Sequence, residues 1–373
     1  MKIVIVSPAY PLRGGIAHSA GLLYKELSKD HDVLLITFKR QYPNFLFPGK
    51  SQIEVGETID KIETEVILDS INPFNWNSTA KRILSFKPEL VIFKHWLPFF
   101  GPCYGWIAGK IKKSSAAKLI AVCHNIIPHE RRLGDKVLSK YFLKKMDYFI
   151  PLSDQVKKDL FLFIKNPLYK LLPLPVFSLF GERTDKEEAK KNLKLTDKRI
   201  LLFFGFIRDY KGLDVLIEAF AIVRKSLDVK LIVAGEFYEP EEKYVKLIEK
   251  HKLEDAIVLK KDFIPTADVK CYFSASDAVV LPYKSATQSG IVQVAVNFCM
   301  PVIATNVGGI GEVIEDEKTG FVVEKENPEK LAEAIIRFYH ENKEKEFTDN
   351  MSSLKDKYSW QNFVKGMFEL INF

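Results

Sequence analysis

Three glycine-bearing turns hold the residues best suited to chemistry in this 373-residue sequence. The first, SPAYPLRGGIAHSA over residues 7–20, places Gly14 and Gly15 directly before a helical pattern. Without side chains at that point, a phosphate or a sugar can reach backbone N–H groups at a helix start. A bare Gly-Gly pair is also an ordinary structural turn. The second, FFGFIRDYKGLDVLIEAF over 203–220, ends a strand at Gly205, carries Arg208 and Lys211, and opens a helix at Gly212. Two cations three residues apart at such a mouth can clamp a diphosphate and stabilise it as a leaving group. The third, within 281–324, is a small polar loop from Ser285 to Gly290 that feeds an apolar helix. Backbone amides of Ser289, Gly290 and Ile291 can hold a diphosphate or sugar hydroxyls at that helix start.

Turns of this kind need strands behind them, and the sequence supplies two sets. Residues 2–8, 32–38, 89–95, 118–124 and 148–153 form one series of short apolar runs. Residues 199–205, 229–235, 256–261, 278–283, 301–306 and 320–324 form the other. Runs this apolar, without alternation, fit parallel strands covered on both faces. Amphipathic segments such as 212–226 and 240–252 lie between them, so the order is β-α-β and the fold class α/β, doubly wound. The rhythm breaks over 171–199, where a Pro-rich piece gives way to a charged helix, which reads as an interdomain linker. The domains expected are 1–180 and 181–357. Asn327-Pro328 starts a helix running to about residue 345. The segment 358–373 is a further amphipathic, aromatic-rich helix.

Composition narrows the functions. Cys103, Cys123, Cys271 and Cys299 lie far apart, with no CxxC spacing, and the seven histidines show no HxH or HExxH pattern. Disulfides and zinc are not expected, and the thiols fit a reducing compartment. The acidic runs Asp30-His31-Asp32 and Glu315-Asp316-Glu317 read as solvated charge, and His129-Glu130 as a loop ion pair. No signal-peptide pattern is seen, and the longest mostly apolar stretch, 96–109, is too short to span a bilayer. Charge is uneven: residues 1–180 carry a net +11 and the remainder −4. Only the first half is suited to a polyanionic surface, and no nucleic-acid module is present, so anionic lipid is the expected partner. Lys110, Lys112, Lys113, Arg131, Arg132 and the lysines at 136, 140, 144 and 145 would contribute. A solvated basic helix face is the alternative.

Taken together, the GG turn, the R-x-x-K-G turn and the run PVIATNVGGIGE resemble the GT-B superfamily of glycosyltransferases, specifically the retaining family 4 type. The resemblance covers nearly the whole chain. It implies two Rossmann-like domains facing a central donor cleft, with helix 358–373 crossing back onto the first. Arg208 and Lys211 would bind the donor diphosphate, Gly14 and Gly15 would approach its phosphates or sugar, and Gly205 would complete that side. His124, in CHNIIPHE, matches the histidine facing the transferred sugar. Base recognition near Phe263 and Ile264 would run through backbone, leaving UDP, GDP and ADP open.

One departure stands out. The family carries two glutamates eight positions apart before its G-x-P, and here those positions fall on Ala286, or Gln288 with a small shift, and Val294. Gln288 and Gln293 are the nearest polar substitutes. The resulting expectation is a cytoplasmic transferase, peripheral at the inner face of the membrane. It would move a hexose from an NDP-sugar, with retention and without an essential metal or other cofactor, to a lipid-linked or membrane-proximal saccharide. Its rivals are a nucleotide-sugar 2-epimerase, a sugar-binding protein and a non-catalytic partner subunit. Oligomeric state leaves no mark on the sequence.

Overall fold

The computed structural model describes residues 1–43, 47, 49, 51–54, 62–128 and 132–372. His129, Glu130 and Arg131 lie outside the described residues. The chain divides into two compact units. Described residues of 1–54, 62–175 and 358–372 form the first, and 176–357 the second.

The first unit is a parallel sheet of β1 (Lys2–Val6), β2 (Asp32–Arg40), β3 (Glu65–Asp69), β4 (Leu90–His95), β5 (Lys118–Cys123) and β6 (Tyr148–Pro151). The order across it is β3-β2-β1-β4-β5-β6. Its helices are α1 (Gly15–Leu27), α2 (Pro73–Ser85), α3 (Gly101–Ser114), α4 (Asp135–Leu143) and α5 (Asp154–Phe161). The inner strands β1, β4 and β5 are buried almost throughout, which explains their unbroken apolar runs. Strand β3 escaped the sequence reading: EVILD is short and charged at both ends, and as an edge strand it is only partly buried.

The second unit repeats the plan with β7 (Ile200–Phe204), β8 (Lys230–Ala234), β9 (Ile257–Lys260), β10 (Ala278–Leu281), β11 (Val302–Thr305) and β12 (Gly320–Val323). Their order is β12-β11-β10-β7-β8-β9, again parallel. Around them run α6 (Lys186–Asn192), α7 (Leu213–Val223), α8 (Glu242–Lys250), α9 (Val269–Ala275), α10 (Gly290–Asn297), α11 (Ile310–Val313), α12 (Pro328–His340) and α13 (Glu344–Lys357). The division falls at 175/176 rather than 180/181. Phe177 packs against Gly290 and the Asn297 amide donates to the Gly181 carbonyl, so this short segment is held by the second unit. The Asn327 side chain caps α12 by accepting from the Lys330 N–H at 3.0 Å. That helix stops at His340, not near 345, because Asn342 turns to φ 53° and α13 starts afresh.

The last helix, α14 (Trp360–Ile371), belongs to the first unit. Its Phe368 ring lies 5.0 Å from the His31 ring, Glu369 pairs with Lys170, and Leu172 packs on Gly366. Among the described residues no helix is long and apolar enough to cross a membrane, and no group of three His, Cys, Asp or Glu residues could hold a metal ion.

Candidate functional site

In the second unit two of the three sequence-derived segments, those at 203–220 and 281–290, follow carboxyl ends of strands, where backbone N–H groups and helix starts are open to ligands. After β7, Gly205 adopts φ +102°, a conformation side chains rarely take. A Cβ there would sit 2.9 Å from the Lys211 Nζ and 3.3 Å from Ile291. Three predicted positions, Gly205, Lys211 and Ile291, therefore meet. A single turn over Asp209–Lys211 follows, and Gly212, at φ +68°, opens α7 so close to the Pro282 carbonyl that a side chain would collide with it.

Lys211 is buried, and among the described residues no carboxylate pairs with it. Its ammonium lies 5.6 Å from the Tyr283 ring centroid. Burial, and then repulsion from Arg208, push its pKa down to about 7. Arg208 sits 5.0 Å over the Tyr238 ring, which lies 4.5 Å from Phe206, itself 6.1 Å from Phe263. This aromatic series from three strand ends was missed in the sequence, because its members are far apart in the chain. Ile264, beside Phe263, is half-buried.

Ser289 is the cap residue of α10 but makes no side-chain cap hydrogen bond. Gly290 begins the helix, and a Cβ on it would approach the Phe177 ring to 3.3 Å. Gln293, one turn in, is 2% exposed, and its Oε1 has no hydrogen-bond partner among the described residues. Gln288 is half-buried in the preceding loop. The VGGIG run supports this loop from behind: the Gly309 N–H donates to the Thr287 carbonyl at 3.0 Å, and Gly308 is packed on Ala286.

In the first unit, Gly14 and Gly15 start α1, and a Cβ on either would meet nothing within 4 Å. His124, just past β5, donates its backbone N–H to the His95 carbonyl at 2.8 Å and is 4% exposed. Burial first, and then Lys94 and His95, hold its pKa well below the usual imidazole value. That shift favours the neutral imidazole, which can both donate and accept a hydrogen bond.

Residues 184–353 match the family described as Glycosyl transferases group 1. An uncharacterized glycosyltransferase of Methanocaldococcus jannaschii is 26% identical over 98% of this chain and 97% of its own length. Sucrose-phosphate synthase from Thermosynechococcus elongatus has a TM-score of 0.76 at 17% identity, covering 100% of this chain and 98% of that one. Anabaena HepE, solved with UDP, gives the same score and identity over 100% of both chains. The chain has the GT-B fold, residues 184–353 of its second unit are similar to group 1 glycosyl transferases, and it is a glycosyltransferase.

Proposed function

We propose that the chain transfers a sugar from a nucleoside-diphosphate sugar to a saccharide acceptor held at a membrane surface, with retention and in the manner of family 4. One observation carries the donor assignment: Arg208 and the buried Lys211 flank a single turn at Gly205, beside the start of α10. Two cations and a run of uncapped N–H groups match the charge of a diphosphate and stabilise it further as it leaves. HepE in complex with UDP-glucose supports the same donor class. His124 and the glycines of the first turn address the transferred sugar. The loop from Gln288 to Gln293 orients it with amides where the family uses carboxylates. No metal is invoked, since the cations suffice to neutralise the leaving group.

The membrane part is supported by α3 and α4. The stripe Gly101, Gly105 and Gly109 lets α4 lie close on α3, with Tyr141 against Gly105 and Trp106 turned toward Asn77 of α2, both partly exposed. Lys110 lies 5.5 Å over the Trp106 ring and Lys145 5.9 Å over Tyr141. Leu133 and Val137 are also exposed. Aromatic rings among lysines suit an anionic headgroup region on the cytoplasmic side. A thermal-shift panel of UDP, GDP, ADP and their sugars tests the donor reading. A ligand at 100 times its Kd raises stability by about 2.7 kcal/mol. A rise with free sugars alone would point instead to a sugar-binding protein, and epimerised donor in the absence of acceptor to an epimerase.

A further inference from the structure

The peptide between the two clamp cations is held from several sides. The Lys284 N–H donates to the Tyr210 carbonyl at 2.8 Å. The Lys284 ammonium reaches Asp209 Oδ1 at 3.1 Å and Asp214 Oδ2 at 2.8 Å. Lys243 donates to the same Asp209 oxygen, and the Asp209 N–H donates to Glu239 at 2.8 Å. An exposed pair of this kind contributes little alone, but the Lys284 side chain is only 20% exposed and bridges two carboxylates. Burial works against its charge, yet Asp214 and Asp209 hold its pKa above the ordinary lysine value. Lys284 stands four residues before Gln288 in the loop leading to α10. Gly212 is packed on Pro282 in the same segment.

We propose that Lys284 is a positioning residue for donor binding, tying the turn that carries Arg208 and Lys211 to the loop that leads into α10. The inference rests on reading Arg208 and Lys211 as the diphosphate clamp. The Lys284 side chain acts through Asp209, while its backbone N–H holds Tyr210 whatever the side chain. When the hold on Asp209 slackens, both cations shift relative to the α10 N–H groups, and misplacement of about 1 Å is enough to lose much of a bound group's stabilisation.

The experiment is calorimetric titration of the full chain with UDP, GDP and ADP, in wild type, Lys284→Met, Lys284→Arg, Arg208→Ala, Lys211→Ala and the double variant Lys284→Met/Arg208→Ala. Lys284→Met should weaken the nucleotide that wild type binds by about 10-fold, and Lys284→Arg should restore most of it. In the Arg208→Ala background the added loss should shrink to about threefold, because only Lys211 is then left for Lys284 to position. Donor KM should rise while acceptor KM stays fixed. Equal losses in both backgrounds, or unchanged binding by Lys284→Met, overturn the inference. Asp209→Asn, which weakens the same link from the turn's end, serves if Lys284→Met fails to fold. Arg208→Ala and Lys211→Ala binding all three nucleotides as wild type does would refute the clamp itself, and this inference with it.

Discussion

Each unit buries a lysine at the carboxyl end of its sheet, and the two differ in what surrounds them. Lys94 is the penultimate residue of β4 and Lys211 follows β7; burial pushes both pKa values down to about 7. Neither meets a carboxylate among the described residues. The Lys94 ammonium donates to the Ser19 hydroxyl on α1 and lies 5.9 Å from the Trp360 ring at the start of α14. It is enclosed by side chains of its own unit. Lys211 instead lies against main chain, at a glycine turn, next to a second cation. A perturbed pKa is thus common to an enclosed lysine and to the one proposed to face the donor, and the neighbours distinguish them.

Removing the cations tests this difference most severely. Lys211→Ala and Arg208→Ala should each lower transfer about 10- to 150-fold with the fold intact. Each deletes a charge-assisted contact of about 1.5–3 kcal/mol to the leaving diphosphate. Steady-state kinetics with the matched donor would read this, and wild-type rates in both variants would show the clamp to be misplaced. A proton follows the same contact. A diphosphate beside Lys211 favours the ammonium, so its pKa rises on binding from about 7. At pH 8 donor binding should therefore take up protons, seen calorimetrically as heats that depend on the buffer's ionisation enthalpy. Lys94→Met should keep that uptake and Lys211→Met should lose it.

Lys94 should speak through stability instead. Its folded pKa is about 7 against an unfolded value of about 10.4. Between these the unfolded chain binds more protons, so stability climbs as pH rises from 7 toward 10. An apolar side chain of similar volume removes the cost of burying that charge. Lys94→Met should thus melt higher than wild type at pH 7, with the gap closing toward pH 10. A gap independent of pH would mean that Lys94 is not the titrating group.

The two sheets were legible in the sequence because their central strands are buried on both faces and read as unbroken apolar runs. Edge strand β3 was not, since its exposed side admits Glu65 and Asp69. At the donor side, Gly205, Arg208 and Lys211 were legible as one short segment. The aromatic series under Arg208 and the Lys284 link were not. Phe206, Tyr238 and Phe263 follow three different strands, and Lys284 meets Asp209 from 75 residues away. Local pattern carries no trace of such pairings until strand order is fixed.

The amide loop should give a smaller effect than the cations. Gln288→Ala should lower catalytic efficiency about 5- to 30-fold, since a neutral amide contact contributes on the order of 1–2 kcal/mol. Gln288→Glu should be tolerated where the pocket accepts the family's usual residue. Should Gln288→Ala match wild type in donor kcat/KM, the loop would act through its backbone alone.

The smallest expected effect separates the two units by surface charge. Residues 1–180 are net +11 and the rest −4, so only the first unit should meet anionic lipid. The attraction is weak, because the lysines of α3 and α4 are exposed and screened over about 8 Å at 0.15 M salt. The exposed Leu133, Val137, Trp106 and Tyr141 add an apolar component that salt does not screen. Co-sedimentation should show binding to vesicles containing phosphatidylglycerol, weaker binding to phosphatidylcholine alone, and a fall between 0.05 and about 0.3 M salt. Lys140→Glu with Lys144→Glu should remove the salt-sensitive part, and Val137→Ser with Leu133→Ser the part that persists. Both pairs lie on exposed positions, so donor binding should stay unchanged in each. Equal sedimentation with both vesicle types at low salt would make this face an ordinary solvated surface and leave the acceptor without a membrane.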